Sequence, residues 1–532
     1  MKRRGADPVR LSLYRHLFEA IAEEMGVALG RSAYSVNIKE RRDFSCAVFN
    51  GRGDLVAQAA HIPVHLGSMP LSVRAALGLG PLAPGDVVMV NDPYAGGTHL
   101  PDITLVEPVF LAGDRAPSFF VANRAHHSDV GGMSPGSLPL ATHIVQEGVR
   151  IPPVFLVRRG RFQTDVWKLV LANVRTPDER EADLEAQRGA NALGDRRLRE
   201  LAARGGRLET LAYAGHLLDY AERAVRAALA GVRRGTYRFT DFLDDDGTGS
   251  GPLRIQAALR FPGRGGRGSA VVDFTGTAPQ TPGPVNAVEA ITLSCVLYVF
   301  RCLAGAFAED DVPTNAGALR PLEVVLPPHS LVNADYPSPV SSGNVETSQR
   351  IVDVLLGALA RALPGRIPAA SAGTMNNLLL GAADGRFTYY ETMGGGHGAS
   401  RGQDGASGLQ SHMTNTLNTP TEAMEHALPV RVRRYALRRG SGGRGRWKGG
   451  DGLVREIEMR EAAEVTVVSE RRRLAPWGVA GGGPGARGRN TIRRRDGTVE
   501  AAPGKFQARL EPGDAVRVET PGGGGYGRPG KS

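Results

Sequence analysis

The sequence predicts an α+β protein: a large mixed, multi-layer fold with an N-terminal strand-and-loop region that carries a candidate metal site, central helices and a C-terminal β-rich module. Three observations lead there. Long stretches of helical period stand beside short β-rich runs. At 532 residues the chain is too long for one simple core. From about residue 430 it becomes Gly- and Arg-rich, with short alternating strands. The boundaries this suggests are 1–180, 181–235 for a helical segment, 236–428 for a central α+β region with a glycine-rich loop, and 429–532.

Residues 10–29 place Tyr14, Leu17, Phe18, Ile21, Met25 and Ala28 at helical spacing with charges between them, which predicts an amphipathic helix. Over 43–58 a strand-like Phe44–Phe49 meets the turn pair Asn50-Gly51, so a hairpin follows. Three apolar β-rich runs come next, Asp86–Val90, Ile103–Phe110 and Ser118–Ala122, each beside a polar, glycine-containing segment. Residues 178–232 read as a helical hairpin broken at Gly205-Gly206. Tyr237–Phe274 is β-rich, 286–306 and 348–363 are buried helices, and Asn333–Asn344 is a loop between them. Glu464–Ser469 and Ala515–Val518 are strands of the terminal module. No fixed-period repeat runs through the chain.

With 41% hydrophobic and 22% charged residues the chain is not disordered by composition. Three scattered cysteines, Cys46, Cys295 and Cys302, form no disulfide framework and no C-x-x-C pair, which fits a reducing, cytoplasmic location. The basic start Lys2–Arg4 is followed by mixed polar residues rather than an apolar core, so no secretory signal is expected. The apolar stretch Ile291–Phe300 is far short of the ~20 residues a spanning helix needs, so no membrane partner is expected. The net charge of +11 gathers at Arg431–Arg446, Arg471–Arg473 and Arg487–Arg495 with little aromatic interleaving. That is solvated surface rather than a nucleic-acid site.

The densest chemical constellation is Asn91-Asp92-Pro93-Tyr94-Ala95-Gly96-Gly97-Thr98-His99-Leu100-Pro101-Asp102 with Asn123-Arg124-Ala125-His126-His127-Ser128-Asp129. If the three runs are strands, Asp92 ends the first, Asp102 begins the second and His126-His127 end the third, where ligands converge on one ion. Two imidazoles with one or two carboxylates suit Mn²⁺, Zn²⁺ or Fe²⁺ better than an all-oxygen Mg²⁺ or Ca²⁺ site. The expected ligands are His99, Asp102 and His126, with Asp92 as a fourth. His126 and His127 point to opposite faces while the strand lasts, so one of them ligates. The competing reading is ordinary turn and capping residues, since Asn-Asp-Pro and Gly-Gly are common turn chemistry.

Met393-Gly394-Gly395-Gly396-His397 followed by Ser411-His412-Met413-Thr414-Asn415-Thr416-Leu417-Asn418-Thr419-Pro420 forms a second constellation. Consecutive glycine amides at Gly394, Gly395 and Gly396 can approach an anion closely, with His397, His412, Asn415 and Asn418 as polar site residues. The alternative is a turn and a helix capped at Thr419 with Pro420 at its first position. Ser341–Ser348, including Glu346, reads as a polar loop leading into a helix, either an anion-binding N-terminus or a plain cap. His61-Ile62-Pro63-Val64-His65-Leu66-Gly67-Ser68 adds two histidines that either join the metal site or shape its pocket, or pack, with packing the default. The G-x-G-x-x-G matches at 440–445, 483–488 and 522–527 neither follow a strand nor open a helix, so they are not dinucleotide fingerprints. The sequence has no phosphate loop and no nucleophile elbow.

Taken together, Arg31–Cys46, N-D-P-Y-x-G-G-T-H-L-P-D at 91–102, A-H-H-S-D-V-G-G at 125–132, E-G-V-R-I-P-P at 147–153, D-F-T-G-T at 273–277, H-M-T-N-T-L-N-T-P at 412–420 and P-G-G-G-G-Y-G at 521–527 resemble the hydantoinase B family over nearly the whole chain. One departure is Ala182–Gln187, where a Gly at 182 and a basic residue at 185 are expected. The resemblance implies a B-type subunit of an ATP-dependent cyclic-amide hydrolase acting on a hydantoin or 5-oxoproline-like lactam. It implies a hetero-oligomer in which a hydantoinase A-type ATP-binding subunit phosphorylates the substrate carbonyl. The metal site of carboxylase relatives maps onto the motifs at 92–102 and 126–129.

On this reading an ion held by His99, Asp102 and His126 activates water or polarises the carbonyl, and attack opens the ring. His127 or Asp129 shuttles the proton, and the amides near Gly394–Gly396 stabilise the oxyanion, with Glu346, Asn415 and Asn418 contacting substrate. Two rivals are an acetone-carboxylase-like alpha subunit, separable by bicarbonate dependence, and a non-catalytic scaffold for the A subunit, for which replacing His99 or Asp102 leaves complex activity intact.

Overall fold

Asp7 and Pro8 begin the first helix for a local reason: the Asp7 carboxylate accepts from the Val9 and Arg10 amides, and Pro8 needs no partner at the first helical position. In this computed structural model, which describes residues 6–59, 61–65, 67–263, 268–308 and 312–530, that helix is α1 (Pro8–Ser32). The basic start Lys2–Arg4 and Leu66 lie outside the described residues. Tyr14, Phe18, Ile21, Met25 and Leu29 form the buried stripe of α1, and one turn, α2 (Val36–Lys39), leads into the first sheet.

That sheet comprises β1 (Phe44–Asn50), β2 (Leu55–Gln58), β3 (Val87–Val90), β4 (Asp102–Val109), β5 (Phe119–His126), β6 (Val154–Arg158) and β7 (Arg161–Phe162) in the antiparallel order β2-β1-β5-β4-β3-β6-β7. The helix α3 (Met69–Leu77) packs on β3, β4 and β5, while α1 and the long α5 (Pro177–Gly205) pack against the sheet as well. Burial on both faces makes β3, β4 and β5 read as continuous apolar runs rather than alternating ones.

A short α4 (Thr164–Leu171) precedes α5, and Gly206, at φ +85°, breaks α5 from α6 (Arg207–Ala230) at the expected point. The polar side of α5 is not solvated. Asn123 Nδ2 donates to Asn191 Oδ1 at 2.8 Å and Gln187 Nε2 donates to Asn123 Oδ1 at 2.8 Å, so buried amides lock α5 to β5.

The second layer is the sheet β11-β10-β9-β8, formed by β8 (Gly235–Leu243), β9 (Leu253–Phe261), β10 (Ala270–Asp273) and β11 (Leu322–Val325). Helices α7 (Glu289–Gly305) and α8 (Ser348–Ala362) pack together, and α8 lies on β8 and β9. The polar loop expected over 341–348 is helical instead: residues 343–347 make a π-helical turn that runs directly into α8. Burial of all five residues explains the difference, since a helical turn bonds the backbone internally where an open loop would not.

The remaining elements are β12 (Asn377–Gly381), β13 (Thr388–Glu391), α9 (Thr421–Ala427), β14 (Val430–Arg438), β15 (Gly452–Met459), β16 (Ala463–Val468), β17 (Arg489–Arg493), β18 (Val499–Ala502), β19 (Lys505–Leu510) and β20 (Ala515–Glu519). They form sheets β13-β12-β16-β19 and β14-β15-β20-β17-β18. The first takes strands from both sides of residue 428. Helix α9 starts one residue later than expected, with Pro420 at the cap and Thr419 turned inward, its hydroxyl 3.2 Å from the Tyr389 hydroxyl.

The glycine motifs fill a layer of backbone packed on backbone. Gly523 N donates to Gly450 O, Gly525 N to Gly483 O and Gly396 N to Pro521 O. A Cβ on Gly396 would lie 1.9 Å from Gly450 O, a distance that no side chain tolerates. Among the described residues no helix is long and apolar enough to cross a membrane.

Candidate metal centre

Sheet register assembles the centre. Asp102 opens β4, His126 closes β5, and the two are direct cross-strand partners, so their side chains share a face. The loop before β4 supplies His99. Its path depends on Asn91, whose amide donates to Leu100 O at 2.7 Å and Val149 O at 2.9 Å and accepts from Ile151 N at 2.6 Å. It also depends on Gly97, where a Cβ would meet Asn91 O at 2.3 Å.

His99 Nε2 lies 3.2 Å from Asp102 Oδ1 and 3.2 Å from His126 Nδ1, and His126 Nδ1 lies 3.1 Å from Asp102 Oδ1. Ligand atoms about 2.1 Å from a common ion sit about 3 Å from one another, so this near-equilateral triangle fits a divalent transition metal. Two nitrogens and one carboxylate oxygen are the donor set of Zn²⁺, Mn²⁺ or Fe²⁺. All three residues are buried.

Neighbouring groups set the ligand atoms. The Ser341 carbonyl, 3.0 Å from His99 Nδ1, can only accept, so Nδ1 carries a proton and Nε2 faces the centre. Thr98 Oγ1 donates to Asp102 Oδ2 at 2.6 Å, leaving Oδ1 for the ion. Burial raises the Asp102 carboxyl, but the charge of His99 and hydrogen bonds from His126, His65 and His99 outweigh it and hold the pKa well below the usual range. Burial opposes charge on His99, while Asp102 beside it and the Ser341 carbonyl raise its pKa overall. His126 is pushed down by burial, with Asp102 opposing.

The centre faces a cavity of about 20 Å³, room for one water, walled by Asp43, Ile62, Asn344, Tyr390, Thr392 and Thr416. Tyr390 stacks on His126 with ring centroids 4.6 Å apart. Buried Arg41 lies over the Tyr390 ring at 4.6 Å and donates to Tyr390 O at 2.8 Å and Thr392 Oγ1 at 3.2 Å, fixing that wall. Outside Ile62 a groove of about 660 Å³ opens between α1 and the 415–417 segment, lined by Arg31, Lys39, Arg42, His61, Asn415 and Leu417. Arg42 sits at φ +56°, a backbone state costly for a non-glycine residue, between inward-facing Arg41 and Asp43.

Several sequence-predicted residues lie elsewhere. The Asp92 carboxylate accepts from Tyr94 N at 3.0 Å and stands 3.7 Å from Arg150 Nε, outside the triangle. His127 turns to the opposite face, its Nε2 3.0 Å from Gln187 Oε1, and burial depresses its pKa to about 4. Asp129 is occupied by the amides of Gly131, Gly136 and Arg175 and by the Arg175 guanidinium at 3.1 Å, so a proton-shuttle role has no free oxygen to use. The Gly395 and Gly396 amides donate to Leu409 O and Pro521 O, and Gly394 packs on the Leu409 backbone; these glycines build the backbone layer rather than an oxyanion pocket.

His397 Nε2 meets Gln410 O at 2.7 Å, and His412 Nδ1 faces the Tyr298 hydroxyl at 3.4 Å, neither at the cavity. Asn418 donates to Thr392 O at 2.8 Å behind the wall, and Asn415 lines the outer groove. Glu346 points inward, accepting from Asn377 Nδ2 at 2.8 Å, and burial with nearby Glu470 raises its pKa to about 8. In contrast His65, assigned to packing by default, stands 3.4 Å from Asp102 Oδ2. Asn344, within the segment read as either an anion-binding helix N-terminus or a plain cap, lies 2.9 Å from His99 Nε2. Spacing alone carries no signal for the Asn344 contact.

The fold and centre define a mixed α/β protein with a buried two-histidine, one-carboxylate pocket at the ends of paired strands. The profile of the Hydantoinase B/oxoprolinase family matches residues 7–529, and the chain belongs to that family. It is 42% identical to 5-oxoprolinase 1 of Arabidopsis thaliana over 98% of this chain and 42% of that protein. An uncharacterised protein of Methanocaldococcus jannaschii is 39% identical over 98% of this chain and 91% of its own length. The crystal structure of the ATP-dependent caprolactamase from Pseudomonas jessenii superposes with a TM-score of 0.89 at 30% identity, covering 99% of this chain and 92% of that one. The chain spans about two fifths of the length of the 5-oxoprolinases it matches, 42% and 40% in two of them.

Proposed function

We propose that this chain is the B-type, ring-opening subunit of an ATP-dependent cyclic-amide hydrolase, acting with an A-type ATP-binding subunit on a hydantoin, 5-oxoproline or similar lactam. The observation that carries it is the triangle of His99 Nε2, Asp102 Oδ1 and His126 Nδ1 at 3.1–3.2 Å, together with relatives named for oxoprolinase and caprolactamase activity. In the overall reaction the ring C–N bond breaks as one water gives its hydroxyl to the carbonyl carbon and its proton to the leaving nitrogen, and a second water releases the phosphoryl group from the carbonyl oxygen as inorganic phosphate, so that ATP ends as ADP and phosphate. A bound Mn²⁺, Zn²⁺ or Fe²⁺ would supply Lewis acidity toward water or the carbonyl.

The chain's own residues do the rest. His99, Asp102 and His126 hold the ion, and Ser341 O and Thr98 orient the first two. Tyr390, Ile62 and the threonines exclude bulk water from the cavity, which strengthens every polar contact inside it. Asp43 supplies a carboxylate on the cavity wall for proton transfer. The groove beyond Ile62, edged by Arg31, Lys39 and Arg42 against Glu23 and Glu40, keeps a net positive lining that favours an anionic, phosphorylated substrate arriving from the partner. We place the complex in the cytoplasm, in accord with three cysteines that form no disulfide.

The test is elemental analysis of the wild-type chain beside a His99→Ala/Asp102→Ala variant, followed by assay with an A-type subunit, ATP and candidate lactams. Near-stoichiometric Mn, Zn or Fe, lost in the variant together with ATP-dependent ring opening, is the expected result. A folded wild type that takes up no transition metal, or a variant that keeps full complex activity, overturns the proposal.

A further inference from the structure

We propose that Asn344 is a fourth ligand of the ion held by His99, Asp102 and His126, through its side-chain oxygen after the amide turns about Cβ–Cγ. The inference rests on the metal reading above. Asn344 is 4% exposed, lies on the π-helical turn that precedes α8 and lines the cavity. Such turns widen a helix by one residue, and here the widening carries an amide against the His99 ring.

Two observations point to the turned amide. Asn344 Nδ2 lies 2.9 Å from His99 Nε2, the atom that must meet the ion. An ion or a proton on Nε2 leaves no lone pair there for an amide N–H. Asn344 Oδ1, also buried, has no hydrogen-bond partner among the described residues, although a buried carbonyl oxygen normally has one. Rotation by half a turn exchanges the two atoms at little torsional cost, because this torsion is broad and two-fold. It relieves the N–H at Nε2 and brings an unused acceptor oxygen to a cation that accepts carbonyl ligands. The ligand set would then be two nitrogens and two oxygens at the wall of the cavity.

Wild type, Asn344→Leu and Asn344→Asp are compared for Mn²⁺ and Co²⁺ affinity by chelator competition and for the visible Co²⁺ spectrum, with circular dichroism as the check of folding. The expected result is about 10–100-fold weaker binding and an altered Co²⁺ spectrum in Asn344→Leu, with tight binding retained in Asn344→Asp. Asn344→Leu binding within twofold of wild type, with an unchanged spectrum, overturns the assignment while leaving the metal centre intact. Should that variant fail to fold, Mn²⁺-loaded wild type carrying ¹³C-asparagine decides: a hyperfine coupling to a side-chain carbonyl carbon supports the ligand, and its absence overturns it. A wild type that binds no ion overturns both readings, and none of these measurements depends on which lactam is the substrate.

Discussion

His65 Nε2 stands 3.4 Å from Asp102 Oδ2, and its Nδ1 meets Ser45 Oγ at 2.8 Å, so one imidazole links the carboxylate of the candidate centre to strand β1. Asp102 thereby has one oxygen toward the centre and the other held by Thr98 and His65. Groups that orient a ligand in this way commonly govern affinity as strongly as the ligand's own chemistry. His65→Ala is expected to weaken Mn²⁺ or Zn²⁺ binding about 10–100-fold while the chain stays folded. Isothermal titration of the metal measures this directly; unchanged affinity would make His65 a packing residue.

The two adjacent histidines separate cleanly. His126→Ala removes a corner of the triangle and is expected to abolish stoichiometric metal. His127→Ala faces α5 through Gln187 and is expected to keep it, losing stability instead because a buried amide is left without its partner. Elemental analysis of the two purified variants side by side distinguishes them, and equal metal loss would contradict the assignment.

Two glycines test what the glycine motifs are for. Gly396→Ala drives a methyl into Gly450 O and the Gly523 amide and is expected to prevent folding or to lower Tm steeply. Gly189→Ala, on the exposed side of α5 with open space around it, is expected to stabilise by about 0.5–1 kcal/mol through helix propensity. Thermal melts followed by circular dichroism report both, and a Gly396→Ala chain as stable as wild type would refute close backbone packing.

Glu107 on β4 gives a pH signature away from the metal. Burial, with Asp195 nearby, raises its pKa from 4.5 to about 7. The folded state therefore holds a proton that the unfolded chain has lost, so stability falls as pH rises from about 4.5 to about 7. Glu107→Gln removes that dependence. The variant is expected to match wild type near pH 4 and to exceed it by up to about 3 kcal/mol above pH 7. Parallel denaturant melts at pH 4.5 and 8 measure the difference; a gain of equal size at both would show that ionisation of Glu107 is not its source.

Much of this molecule was legible without coordinates because its determinants are local. The stripe from Tyr14 to Met25 makes α1 wherever a core exists to receive it, and Gly206 breaks α5 from α6 because only glycine adopts its φ cheaply. The three apolar runs became β3, β4 and β5. The three ligand residues lie at the ends of these runs in two short segments, so they could be named from the sequence, while the strand order that sets Asp102 opposite His126 is read from the structure.

The sequence by itself determined most of the helices and strands, the family and the two segments that hold His99, Asp102 and His126, because each depends on residue spacing within a few turns or one strand. Only the tertiary structure decided what surrounds them. His65 and Asn344 reach the centre from separate parts of the chain, while Asp129, Glu346 and the Gly395 and Gly396 amides are taken up by interior partners. The physical reason is that a carboxylate, an amide or a glycine N–H has the same local sequence whether it serves a ligand or the fold. Which one it serves depends on the donor or carbonyl that distant segments bring within about 3 Å, and packing of the whole chain sets that.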